Sequence, residues 1–244
     1  MAEVAGSNPA GPTIIITIRI LTRRIVLSYG VLLRYRLHSF RDARVIFEND
    51  PAYLGLWEDV TKVIESITDQ DLIRKYEEVK RSRKKSLSEP INRLIDERLV
   101  KRGWNRQSPI FNDSRYLSER GTKWTLDFSK DLIAIEVAFN HGEATAWNLM
   151  KPVLSSQLNH VRKAIQTSAG VIITATNDLK DKGNFDSAVG TYEKFLDYLL
   201  PFSNIISVPL MIVGIEGPET FYIEPRAGTT PPTIIMNKVS QYKL

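Results

Sequence analysis

Apolar positions along the chain fall into two rhythms, one returning every third or fourth residue and one alternating or continuous over short runs. Leu56, Val60, Val63 and Ile67 keep the first rhythm and predict a helix from about Ala52 to Ser66. Pro90 opens a second helix, with Ile91, Leu94, Ile95 and Leu99 on one face and Gly103 as its stop. Asn105 to Thr122 is polar and without period, and reads as a loop. Trp124–Phe128 and Leu132–Phe139 predict two strands joined by a turn at Ser129-Lys130-Asp131. Ala144 to Ile165 carries the stripe Trp147, Met150, Leu154, Leu158, Val161 and Ile165, with Pro152 expected to kink or restart the helix. The run Val171 to Thr176 is apolar and β-branched through its first half, as a strand buried on both faces requires. A helix from Phe185 to Leu200, a strand from Pro209 to Ile215, and extended pieces at Phe221–Glu224 and Thr233–Met236 complete the pattern. The order, a helical part and then ββαβαβ, predicts an α/β fold with a mixed central sheet flanked by helices.

The N-terminal run from Ile14 to Val31 is apolar enough to raise the question of a membrane segment, but Arg19, Arg23 and Arg24 interrupt it. A spanning helix needs about 20 mostly apolar residues, and a leader carries its positive charges ahead of the apolar stretch. The β-branched series Thr13 to Ile18 favours strands instead. Residues 1–32 are therefore read as an N-terminal extension with the makings of an added strand pair, and 33–244 as one domain.

Composition narrows the chemistry. At 43% apolar the chain can build a core, and its 33 Lys+Arg against 28 Asp+Glu tilt it mildly toward polyanions. The absence of cysteine excludes disulfides, thiolate zinc sites and thiol catalysis, and fits a reducing cytoplasm. His38, His141 and His160 show no metal-ligand spacing. No phosphate-binding loop, serine-hydrolase elbow or dinucleotide fingerprint occurs. The Lys/Arg-rich run from Arg74 to Lys85 has two readings, a solvated helix face or an element contacting phosphates.

The strand Leu132–Phe139 is the most informative. Ile133, Ile135, Val137 and Phe139 make one large apolar face, while Ala134, Glu136 and Ala138 leave an open slot around a carboxylate on the other. Asp127 stands nine residues before Glu136. A tight turn over Ser129–Asp131 pairs Asp127 with about Ile133, leaving it ~10 Å from Glu136 at ~3.3 Å per residue. The strands must splay or bulge if both carboxylates are to share one ion. Two hard oxygen ligands with open positions would suit Mg²⁺. The plainer alternative is a surface Asp at a turn and a Glu paired with an Arg.

The string DFSKDLIAIEVAFN, Asp127 to Asn140, resembles the active-site segment of the type II restriction endonucleases related to BglII and BstYI, with BamHI a more distant relative. Glu89 to Trp104 is similar to the helix before that segment, and Pro209 to Ile215 to a late sheet strand; the resemblance runs from about Leu33 to about Gly217. It implies the PD-(D/E)xK nuclease fold, a homodimer, Mg²⁺-dependent hydrolysis of double-stranded DNA at a short palindromic site (a GATC core is in keeping with the group), and a cognate DNA methyltransferase. Asp127 and Glu136 fall on the two metal-binding carboxylates. Ala138 falls on the third catalytic position, where the group has Gln and other families Lys or Glu. A methyl group can neither orient nor activate a water. Lys130, Glu143 or a residue between Asn112 and Glu119 could cover that role, and Gln, Glu or Lys in place of Ala138 is expected to speed cleavage.

Around this segment, Asn140 and His141 are candidates for DNA contact, since Asn reads adenine edges. Helix N-capping by Asn140 or Thr145 explains the same residues. Lys84, Lys85, Lys101 and Arg102 are candidates for phosphate contacts. Two other readings stay open: a DNA-binding protein with a decayed nuclease site, and a non-enzymatic partner-binding α/β domain.

Overall fold

The computed structural model describes residues 31–80, 86–116, 124–157, 162–225 and 232–237. The expected strands at residues 13–18, together with Lys84, Lys85, Leu158, His160 and Val161, lie outside the described residues. The first element among the described residues is β1 (Tyr35–Phe40), which the sequence pattern had not singled out. Four helices follow: α1 (Ala43–Asn49), α2 (Pro51–Glu65), α3 (Asp69–Lys80) and α4 (Ser88–Lys101). α2 starts where the Asp50 side chain accepts the Ala52 N–H and Pro51 takes the first turn, and it buries Leu56, Val60 and Val63 as their spacing predicts. Thr68 and Asp71 start α3 by exchanging side-chain and backbone hydrogen bonds of 3.0 and 3.3 Å. Gly103, at φ 82, follows α4 in the left-handed conformation that a helix end favours.

The stretch read as a loop contains a further strand, β2 (Asn105–Pro109). Its composition, NRQSP, carries no strand signal; it is an outer strand whose ladder to β3 alone defines it. β3 (Thr125–Lys130) and β4 (Ile133–Ala138) form the expected hairpin, then come α5 (Thr145–Ser156), β5 (Ala169–Ala175), α6 (Asn177–Lys182), α7 (Tyr192–Leu199) and β6 (Leu210–Ile215). The helix expected from Phe185 begins only at Tyr192, because Phe185 to Gly190 closes against the sheet end, Gly190 N–H on the Asn140 carbonyl. α5 runs through Pro152 and ends at Ser156, short of the expected Ile165. β7 (Phe221–Glu224) and β8 (Thr233–Met236) pair antiparallel as a separate ribbon.

The main sheet has the order β1-β6-β5-β4-β3-β2, with β4, β5 and β6 parallel and the remaining pairs antiparallel. Ile133, Ile135, Val171, Ile173 and Val213 face a core shared with α2, α3 and α4. Ala138, Ile172, Leu210 and Ile212 face the other way, against α5 and α7. The mixed sheet between helical layers is the fold the sequence predicts.

One glycine governs how closely α5 approaches. A Cβ on Gly170 would lie 2.6 Å from the Pro152 Cβ, so only glycine admits the helix there. Gly170 is paired with Ala134, and Glu136 with Ile172 two residues along on the same face. α5 is thereby held low over β4, close to the carboxylate.

Candidate active site

The hairpin turn falls at Asp131-Leu132, later than the expected Ser129-Lys130-Asp131, because Asp131 takes the left-handed conformation (φ 45) that an aspartate tolerates. The register is then Lys130 opposite Ile133, Ser129 opposite Ala134 and Phe128 opposite Ile135. Asp127 therefore comes level with Glu136, not with Ile133. The regular ladder stops there. The Asp127 carboxylate Oδ2 accepts the Val137 N–H at 2.8 Å, and the Asp127 N–H points at Glu136 Oε1 at 3.4 Å. Side chains have replaced the backbone partners, which opens the two strands and draws both carboxylates into one site.

The expected open slot is closed. Glu136 is 1% exposed and Ala138 1%, since β4 is an inner strand and α5 covers its second face. Ala138 is buried in the cluster that holds Leu149 and Val153, so a longer polar side chain there would press on α5. What reaches Glu136 is Lys151 from α5, 8% exposed, whose Nζ donates to Glu136 Oε2 at 2.6 Å. Glu136 thus has an ion-pair partner, as in the plainer alternative, but the partner is a lysine and not the expected arginine, at the same carboxylate that stands beside Asp127.

Burial first, and then the negative charge of Asp127, push the Glu136 carboxyl up to about 8 against the pull of Lys151. Burial also raises Asp127, while the Val137 N–H, Lys151 and Gln107 hold it back. Two acids crowded together out of water are the environment a divalent cation would relieve, and their hard oxygens fit Mg²⁺. Among the described residues no cluster of three or more metal-ligating side chains occurs, so Asp127 and Glu136 would be the protein's carboxylate donors.

A cleft of about 330 Å³ leads to Asp127, lined by Asn92, Arg93 and Asp96 of α4, Gln107 of β2, and Phe128 and Val137. Gln107 sits beside Asp127 with φ 50, a left-handed backbone that costs energy in a non-glycine residue and is met at functional sites. Sequence reasoning missed both Gln107 and Lys151. Gln107 had no signal, but Lys151 did: it interrupts the stripe between Trp147 and Leu154, where a lysine must find a buried partner.

The other candidates scatter. Lys130 is held by Asp59 at 2.9 Å and the Arg102 carbonyl at 2.8 Å, so it does not cover the third role. Burial would raise Asp59, but hydrogen bonds from Lys130 and Arg102 outweigh it and keep the carboxyl below its usual range. Arg102 is thus in an ion pair (3.1 Å), whereas Lys101 is exposed. Glu143 is exposed on the turn before α5, and Asp113 of the Asn112–Glu119 loop is bound by Arg115. Asn140 accepts from Asn148 at 3.2 Å and caps nothing; neither does Thr145, as α5 has no side-chain cap. His141 is exposed and bridges to Val189 through its backbone. Within the basic run, Arg74 pairs with Asp71, and Lys75 with Glu78 and Glu97, as on a solvated helix face.

A mixed sheet bearing an Asp/Glu pair at the opened end of a central hairpin belongs to the restriction-endonuclease class of folds. The family model Restriction endonuclease BglII/BglIII matches residues 35–215, and the chain belongs to that family. Among solved structures it is similar to restriction endonuclease BglII complexed with a DNA 16-mer, at 15% identity and a TM-score of 0.55, covering 84% of this chain and 100% of that one. It is also similar to free BglII, at 17% identity and a TM-score of 0.45, covering 82% and 90%. No curated protein matches it. Among the described residues no helix is long and apolar enough to cross a membrane.

Proposed function

We propose that the chain is a Mg²⁺-dependent type II restriction endonuclease that hydrolyses double-stranded DNA at a short palindromic site. The observation that carries this reading is the juxtaposition of Asp127 and Glu136 at the point where the β3–β4 ladder opens, in a chain of the BglII/BglIII family. A bound Mg²⁺ would polarise the scissile phosphate and lower the pKa of a water. Asp127 and Glu136 would hold the ion, and the cleft below α4 would admit the phosphate, with Arg93 and Asn92 on its wall. In the hydrolysis a water oxygen bonds phosphorus and one P–O ester bond breaks with its electron pair on the departing sugar oxygen. That oxygen takes a proton from solvent, and the attacking water gives one up. Exposed Lys101 is the candidate phosphate contact outside the cleft.

A palindromic duplex presents two equivalent strands, so a homodimer with one site per strand is the economical assembly. A GATC core and a methyltransferase protecting the same sequence in the cytoplasm complete the reading. Digestion of a long phage DNA with Mg²⁺, followed by end sequencing, tests it: discrete fragments sharing one palindrome at their ends are expected. Intact DNA that is nonetheless bound in low salt would favour a decayed nuclease, the reading that Ala138 supports. Neither cleavage nor binding would favour a partner-binding domain.

A further inference from the structure

We infer that Lys151 is the positioning residue that stands in, from α5, for the polar group Ala138 lacks on β4. The inference rests on the nuclease reading above and deepens it. Ala138 is buried in an apolar cluster and its methyl offers the reaction no polar group. Lys151 donates to Glu136 Oε2 at 2.6 Å, while Oε1 of the same carboxylate faces the Asp127 N–H. The ammonium is therefore fixed on one side of Glu136 and Asp127 on the other. Glu136 cannot turn without breaking one contact or the other.

The fold has gone to some length to arrange this. A lysine in the buried stripe of a helix must be desolvated, and its placement depends on Gly170 letting Pro152, the next residue, rest against the sheet. Ala134 and Ala138, the small residues flanking Glu136, keep the floor beneath α5 shallow enough for the contact. A counter-ion alone would be a costly solution, since well-packed apolar residues commonly replace buried ion pairs at no loss of stability. A cationic donor held against the carboxylate does something an apolar residue cannot. It orients Glu136, and it places positive charge where negative charge develops as phosphorus is attacked, an arrangement worth ~10²–10³ in rate per donor elsewhere.

The experiment compares the unaltered protein with Lys151→Gln, Lys151→Met and Lys151→Arg, with Lys130→Gln as control because Lys130 is committed to Asp59. Three readouts are taken: turnover at saturating DNA, DNA affinity without divalent ions, and Mg²⁺ binding by calorimetry. Lys151→Gln still offers Glu136 a donor and so keeps the fold even if Lys151→Met does not. The expected result is a loss of turnover of ~100-fold or more in Lys151→Gln, unchanged DNA affinity, Mg²⁺ binding as tight as before or tighter, and partial recovery in Lys151→Arg. Undiminished turnover in Lys151→Gln would overturn the inference and leave the nuclease reading standing. So would weakened Mg²⁺ binding that accounts for the whole rate loss, since Lys151 would then merely shape the ion site. Failure of the unaltered protein to cut any DNA would remove the nuclease reading, and this inference with it.

Discussion

Strands β5 and β6 bury every residue they contain, and none of those residues is ionisable. Directly beside them in the same sheet, β4 and its neighbour β3 break their ladder, bury a glutamate, and crowd a second carboxylate against it. The first region follows the rules for an interior parallel sheet without exception. The second sets them aside at Asp127 and Glu136, with Gln107 of β2 and Lys151 of α5 reaching in from either side. On the proposed reading, stability and chemistry are carried by different strands of one sheet, the fully buried β5 and β6 on one side and the β3–β4 hairpin on the other.

The sharpest way to break this contrast is at Glu136. Glu136→Ala leaves Lys151 buried without its partner, and loss of one member of such a pair costs ~3–5 kcal/mol. Cleavage should vanish and the urea midpoint should fall. Asp127→Asn should abolish cleavage too, yet the amide oxygen can still accept the Val137 N–H and a buried charge is gone, so stability should hold or rise. A clear destabilisation of Asp127→Asn would mean that the carboxylate is structural.

In the apolar half, Ile173→Ala should cost ~2–5 kcal/mol by cavity formation. The fraction that remains folded should cut DNA at the unaltered rate; a matching fall in specific turnover would show the two regions are not separable. Ala138 lies on the boundary between them. The sequence led to the expectation that Gln, Glu or Lys there would speed cleavage, but overpacking beneath α5 should instead cost ~1–3 kcal/mol and gain no rate. Chemical denaturation and single-turnover kinetics on Ala138→Gln check both halves of that statement.

A smaller effect should appear with pH. The folded Glu136 carboxyl titrates near about 8 against an ordinary 4.5, so the folded state binds the extra proton in that window. Without divalent ions, this group's contribution is fully present below pH ~4.5 and lost as pH rises through about 8. The melting temperature should therefore decline across neutral pH, and Glu136→Gln should flatten that decline. An unchanged slope in Glu136→Gln would assign it to other groups. Least of all should happen on the exposed helix surface: Arg44→Ala, which removes an i,i+4 pair with Glu48, should shift stability by no more than ~0.5 kcal/mol.

Much of the fold was legible because local rules governed it. α2, α4, β4, β5 and β6 appear where period, caps and Gly103 put them, since each buries a full stripe or face. β1 and β2 were not legible. Both are outer strands of mixed composition, and β2 becomes a strand only by pairing with β3. Asp127 and Glu136 were legible as a pair, but the ~10 Å offset that called for the strands to part rested on a register the structure does not have. Their relative placement was not legible, because a turn shifted to Asp131-Leu132 moves Asp127 to a different partner. Register depends on where a turn closes, and that is a choice between near neighbours that composition hardly biases.

By itself, then, the chain's order of residues determined the layered α/β architecture and set two carboxylates nine positions apart at Asp127 and Glu136. Those follow from periodicity and side-chain chemistry, which are properties of a segment. Only the tertiary structure decided that α5 would close the slot, that Gly170 would let it settle so low, and that Lys151 would meet Glu136. Lys151 lies fifteen positions beyond Glu136, on an element whose height above the sheet is set by the packing of Pro152 on a third strand, and no local rule contains that distance.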